Sequence, residues 1–322
     1  MNTWELPLAV AATLDIEVLV IIPESREDHH TEINDLAWRF HLDKNRSGFL
    51  FFHTPAAKSA KAAWPERDKE IAAISDRIIP ISIRPAGNME GLINQYPAKI
   101  LDRFQIPYAK TFRPRPKYAD YECRTDLSED DFLIHFTRSV PGPWPDETDF
   151  DYYRAVIDSR DDYCRSAAKT LLHILESGTI YASARNIRDQ HQVVGFTRFS
   201  PEHISDLFRY RPRLVNPYFE PYGIGFPVEA AVRAGCRPVQ YSPPEIYPTL
   251  DPADRPFFQN KGGDSGRWTT EQEWRSPGDF DLDQIPENER CIFVPDEDEA
   301  ALFRDRLGRR VESLSRAHSY PL

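Results

Sequence analysis

Cysteine is scarce in this chain of 322 residues: Cys123, Cys164, Cys236 and Cys291 stand far apart, with no Cys-x-x-Cys pair and no histidine at ligand spacing beside them. That pattern excludes a zinc finger or a disulfide-stapled fold, and no metal is expected. Long apolar runs are lacking as well. The longest early one, Val18 to Ile22, is strand-sized, and no basic segment followed by an apolar stretch opens the chain, so neither a membrane span nor a signal peptide is expected. The compartment this implies is the cytoplasm, where thiols stay reduced. Internal repeats are missing, and so is a basic excess in the second part of the chain. Residues 1–120 hold 16 acidic and 16 basic side chains, so residues 121–322, with 35 acids against 24 bases, carry the whole net charge of −11. A broad nucleic-acid-binding face there is disfavoured. Lys110, Arg113, Arg115 and Lys117 do form a local basic cluster, in a stretch that also reads as a solvated linker.

What is present is enough for two cores. Hydrophobic residues make up 40% of the chain and aromatics 12%, and its length exceeds the size at which one core usually keeps growing. Ile16 to Ile22, ending at Pro23, is a continuous β-branched run of the kind buried on both faces of a parallel sheet. Ile33, Leu36, Ala37 and Phe40 follow at helical spacing, then a strand at Gly48–Phe52, a helix from Arg67 to Ser75 and a strand at Arg77–Ile83. Strand alternating with helix predicts an α/β, Rossmann-like N-terminal domain over residues 1–105. A Pro-, Lys-, Arg- and Tyr-rich stretch predicts a linker at 106–130, followed by an α+β domain at 131–322.

Ligands of such sheets sit beyond the carboxyl ends of the strands. Here those ends supply Ser25, Thr54, Arg84, Gly87 and Asn88 as a candidate ligand loop, with a plain turn at Arg84–Asn88 as the alternative. Residues Trp64 to Ile93, with Arg84-Pro85-Ala86-Gly87-Asn88 leading into Leu92-Ile93, resemble the DNA-processing-protein-A-like, or SLOG, family of Rossmannoid nucleotide sensors. That resemblance implies a nucleotide ligand. The glycine-rich phosphate loop that would accompany it near the first strand is absent.

In the second part, Phe132–Arg138 reads as a strand ending in polar groups. Ser166 to Ser177 reads as a helix closed by Gly178, and Val193–Thr197 as a further strand. The order of His135-Phe136-Thr137, the Leu-x-x-Ile-Leu helix, Gly195-Phe196-Thr197, the segment Pro221 to Phe226 and Glu271-Gln272-Glu273-Trp274-Arg275 resembles the ADP-ribosyltransferase-like superfamily, in its branch associated with abortive infection. It spans about residues 131–276 and implies NAD as substrate, Glu273 as the catalytic carboxylate and Glu271 as the residue at the acceptor. It also implies contacts to NAD from His135, Thr137, Arg138, Tyr181, Thr197 and Tyr222. Two subgroup patterns stay open: Arg138 with Thr197 and Glu273, or His135 with Tyr181 or Tyr222 and Glu273. Where the first has a Ser-Thr-Ser-like strand, this chain has Phe196-Thr197-Arg198-Phe199-Ser200.

The chemistry explains the residue types. Breaking the bond between nicotinamide and ribose passes through an oxocarbenium-like state that a carboxylate stabilises, and an Arg suits a diphosphate because its fork is bidentate. If extended, Glu271 and Glu273 would point to the same side. Three readings compete: an ADP-ribosyltransferase or NAD-cleaving enzyme of phage defence; a catalytically silent nucleotide-sensing or partner-binding scaffold; and a DNA-binding or DNA-processing protein, which the charge balance disfavours. The acceptor and any self-association stay open.

Overall fold

The computed structural model describes residues 4–23, 28–53, 60–96, 99–108, 118, 121, 123–124, 131–159, 162–185, 187–198, 208, 219–261 and 272–315. It is a mixed α/β protein that divides into two compact units, Met1–Pro114 with Gly142–Ser159, and Arg115–Pro141 with Arg160–Leu322. No helix among the described residues is long and apolar enough to cross a membrane.

The first unit opens with α1 (Glu5–Leu14), β1 (Val18–Pro23), α2 (His29–Phe40) and β2 (Ser47–Phe52). Strands β1 and β2 pair in parallel from Val18↔Ser47 to Pro23↔Phe52, so α2 is the crossover of a β-α-β pair. Helix α2 begins at His29, before the first apolar residue of its pattern: the Asp28 carboxylate caps it by accepting from the Thr31 amide, and Leu36, Ala37 and Phe40 face inward as the spacing expects. A second pair follows, α3 (Ala60–Ile74), β3 (Arg77–Ile78), α4 (Asn88–Gln95) and β4 (Lys99–Ile100), with β3 parallel to β4. The expected strand at 77–83 is thus only two residues long, because Pro80 lacks the N–H that a ladder needs. The single three-stranded sheet expected from the alternation is two separate two-stranded ones.

The domain boundary also differs from the expectation. Helix α5 (Asp149–Asp158) lies in the first unit, where Tyr152 and Tyr153 complete a core with Leu8, Val20, Ile22, Leu36 and Phe40. Tyr118 and Tyr121, in the expected linker, are instead buried in the core of the second unit, beside Tyr222 and Phe208. Burying aromatic rings outweighs the basic composition around them.

The second unit is built on seven strands: β5 (Phe132–Phe136), β7 (Val193–Arg198), β8 (Gly223–Pro227), β9 (Arg237–Pro238), β12 (Glu273–Pro277), β14 (Cys291–Val294) and β15 (Val311–Ser313). Their order is β15-β14-β8-β5-β7-β12-β9. Every pairing is antiparallel except β14 with β15. Helix α6 (Ala167–Ser177) has the anticipated ends, the Ser166 hydroxyl accepting from the Lys169 amide and Gly178 at φ 71° closing it. It brings Leu171, Leu172 and Ile174 to the core. A small ribbon, β6 (Thr179–Ile180) with β13 (Phe280–Asp281), delivers Phe280 against Phe196 and Phe226. Helix α7 (Val228–Arg233) follows β8, and β10 (Gln240–Ser242) runs parallel to β11 (Phe258–Asn260). Helix α8 (Glu297–Leu307) ends at Gly308, φ 61°, and the chain returns as β15.

Candidate active site

Side chains of a strand alternate between faces, so the register decides which residues meet. Glu273 stands opposite Thr197, Thr197 opposite Ile134, Ile134 opposite Gly225 and Gly225 opposite Cys291, one row across five strands. The adjoining row on this face holds Arg275, Gly195, Phe136, Gly223 and Phe293. The opposite face carries Phe196, Leu133 and Phe226, packed under Phe280. Strand β12 is therefore an interior strand, held by β7 on one side and β9 on the other. Thr197 and Glu273, expected in one site, are direct cross-strand neighbours. Gly195 is exposed although its strand is central, and among the described residues a Cβ built there would meet only the Glu273 Oε1, at 3.8 Å. The carboxylate thus overhangs a bare patch of backbone.

Arg275 fixes that carboxylate. Two residues from Glu273 on the same strand, it projects to the same face, with its Nε 2.7 Å from Glu273 Oε1 and one terminal nitrogen 3.2 Å from Oε2. That terminal nitrogen also donates to Gln259 Oε1 at 2.7 Å, and the other to the carbonyls of Pro256 and Phe258 at 2.9 and 3.0 Å. The Arg275 side chain is 1% exposed and that of Glu273 23%. The sequence reading did not single out Arg275. Its signal was present: two opposite charges at i and i+2 of a strand face the same way. Gln272, just before β12, has φ 42°, a left-handed conformation disfavoured for a side chain of its kind. Gln272 is therefore not extended, and Glu271, the other carboxylate expected at the site, lies outside the described residues.

The other candidates are elsewhere. His135 projects to the opposite face, beside the Phe196 ring at 5.9 Å between centroids. Its Nδ1 is 2.9 Å from the Gly195 carbonyl oxygen, which only accepts, so Nδ1 carries the proton and Nε2 the lone pair of the neutral ring. Desolvation holds this imidazole below the ordinary histidine range, and the bond to Gly195 counters it in part. Thr137 and Arg138 follow the carboxyl end of β5, whereas Glu273 is level with Ile134. The offset is three residues for Thr137 and four for Arg138, roughly 10 and 13 Å of extended chain. The Thr137 hydroxyl shares its one proton between the carbonyls of Ala167, at 2.9 Å, and Tyr222, at 3.1 Å, and the Glu220 carboxylate accepts from the neighbouring Ser139 amide, so this corner is clipped together. Arg138 is half-buried there. Tyr222 is buried, its hydroxyl bonded to that of Tyr118, and burial pushes both phenols far above their usual range. Tyr181, half-buried, follows β6 outside the seven-stranded sheet.

In the first unit, Ser25 and Thr54 lie outside the described residues. Arg84, Gly87 and Asn88 form a turn that caps itself. The Gly87 amide donates to the Arg84 carbonyl, and Glu90 reaches back to the Ala86 amide at 2.7 Å. A Cβ on Gly87 would come within 2.8 Å of the Arg84 oxygen, so the glycine is explained by close backbone approach alone.

These features define a mixed α/β protein whose central sheet presents a braced glutamate beside a threonine and an exposed glycine. Compared with protein-family models, curated proteins and solved structures, the chain matches none.

Proposed function

We propose that the Glu273 face binds NAD and cleaves its nicotinamide–ribose bond, passing the ADP-ribosyl group to an acceptor or to water. The observation that carries this reading is the Glu273 carboxylate, braced by a buried guanidinium and poised over the bare Gly195 backbone. A carboxylate has about four lone-pair sites and Arg275 takes two, which leaves others for a ribose hydroxyl and for the positive charge developing at the anomeric carbon. The C–N bond breaks with its electron pair leaving on nicotinamide. An oxygen nucleophile then bonds to the anomeric carbon and loses its proton to solvent. Thr197, in the cross-strand position, suits a bond to the ribose. The ordered likeness of residues 131–276 to ADP-ribosyltransferases of abortive infection supports the same reading and suggests a role in phage defence.

The test is release of labelled nicotinamide from NAD, lost in Glu273→Gln while the variant still unfolds cooperatively. A folded wild-type protein that releases none ends the reading. The full engagement of Arg275 with Glu273 favours a second one, binding without turnover. Thermal stabilisation by NAD with no nicotinamide released would select it.

A further inference from the structure

We infer that Arg188 and Arg255 form a binding site for a compact phosphate-class anion, a pyrophosphate or the diphosphate of a nucleotide. The two guanidiniums share one aromatic ring: the Arg188 carbon is 4.2 Å from the centroid of Tyr247 and that of Arg255 5.7 Å from it, so the two cations are at most about 10 Å apart. Neither makes an ion pair among the described residues. Arg188 donates to the Pro244 carbonyl at 3.3 Å and Arg255 to that of Leu250 at 3.4 Å. Their neighbour Arg237, stacked on Phe257 in the same manner, does have a carboxylate, that of Asp254 at 2.7 Å. Residues 121–322 hold 35 acids and 24 bases, yet these two like charges share one ring with neither in an ion pair among the described residues, an arrangement that repels itself until an anion joins it.

The platform under them is rigid. Tyr247 and Phe258 are buried, with ring centroids 5.1 Å apart. The Tyr247 hydroxyl is 3.1 Å from His191 Nε2, and burial, with the Asp189 carboxylate beside it, raises the phenol above its ordinary range. The turn that sets Arg188 on the ring has two successive left-handed residues, Asp189 and Gln190, both at φ 54° and neither a glycine. Backbone so disfavoured persists where the surroundings enforce it, and it concentrates at ligand sites. Two guanidinium forks on a fixed base match the oxygens of a phosphate group. The rings lie beneath the cations, so the anion and not a nucleobase is what the site recognises. The acidic surroundings repel an extended polyanion such as nucleic acid.

Titrating the whole protein with inorganic pyrophosphate, phosphate and ADP at constant ionic strength tests this. Pyrophosphate is expected to bind saturably, with the Kd rising at least tenfold in Arg188→Gln and in Arg255→Gln, partial recovery in Arg188→Lys, and no change in Arg185→Gln, a nearby exposed control. ADP tighter than pyrophosphate assigns the diphosphate to a nucleotide; the reverse assigns it to the free anion. On the unmutated protein, pyrophosphate should slow phenylglyoxal modification of Arg188, a readout that does not depend on a variant folding. A response no different from added sodium chloride, unchanged affinity in the double Gln variant, or equal modification rates with and without pyrophosphate would each overturn the site. None of these outcomes depends on nicotinamide release.

Discussion

A guanidinium carries five N–H groups, and all five of Arg275 are engaged, two with Glu273, two with backbone carbonyls and one with Gln259. It therefore has nothing left for a substrate phosphate, and its role is to position Glu273. Arg275→Met leaves a half-buried carboxylate and two carbonyls without their donor, and an expected loss of about 3–5 kcal/mol follows from breaking a buried pair on one side only. Urea unfolding reads that loss directly, and a midpoint unchanged from wild type would show that the pair is not structural. His135 sets a pH dependence of stability. Its folded-state pKa is depressed, so the unfolded chain binds the extra proton first as pH falls. The neutral ring's contribution is then complete above the unfolded value of about 6.5 and is lost as pH drops through the folded one. Melting temperature should fall between pH 7 and pH 5 more steeply in wild type than in His135→Asn; parallel curves for the two proteins would contradict this.

The strands show why three glycines of one face differ. A Cβ on Gly225 would meet Phe293 Cε2 at 2.6 Å and Ile134 Cγ1 at 3.0 Å, both in fully packed side chains, whereas among the described residues one on Gly195 meets only Glu273 Oε1 at 3.8 Å. Gly225→Ala is expected to cost about 1–3 kcal/mol from overpacking. Gly195→Ala should change stability by less than about 0.5 kcal/mol, as an exposed position does, while placing a methyl group under Glu273 and so lowering NAD turnover. If Gly195→Ala keeps full turnover, the bare backbone is not part of the site. Gly223 and Gly225 also explain what local pattern missed. With glycines and Pro221 nearby, the segment has low strand propensity, and it becomes β8 because β5 and β14 pair on either side of it. Where the signal is local, sequence and structure agree, as at the Ser166 and Gly178 ends of α6 and in the inward face of α2. The β-branched run does form β1, but as one strand of a two-stranded sheet with Leu19 exposed, not as a central strand buried on both faces. Part of the candidate site was named beforehand, since the resemblance to ADP-ribosyltransferases implied both Glu273 and Thr197. Their adjacency, the separation of Arg138 and the opposite facing of His135 come from strand register, which is set by pairing between distant segments.

At the scale of the molecule, the first unit is assembled from two stretches of chain, with residues 115–141 of the second unit between them. The returning stretch is made to fold in place. Thr148 and Asp151 form a capping box at the start of α5, Asp149 pairs with Arg39 at 2.7 Å, and the Tyr153 hydroxyl donates to Glu5 at 2.5 Å. Tyr152 and Tyr153 fill the space against Leu8 and Phe40 that α1 and α2 leave uncovered. An N-terminal piece cut within the basic stretch that composition marks as a linker therefore lacks part of its own core. A fragment of residues 1–130 is expected to show no cooperative urea transition, and one of residues 1–159, which restores α5, is expected to show one. In the full chain, Tyr153→Ala removes a buried ring and the partner of Glu5, at an expected cost of about 3–5 kcal/mol to the first unit. A fragment 1–130 as stable as 1–159 would mean that α5 merely rests on a core already complete. A discontinuous unit is then the physical reason that a boundary drawn from composition alone falls in the wrong place: the contacts that close the core lie beyond the linker, in a helix that sequence order assigns to the other half.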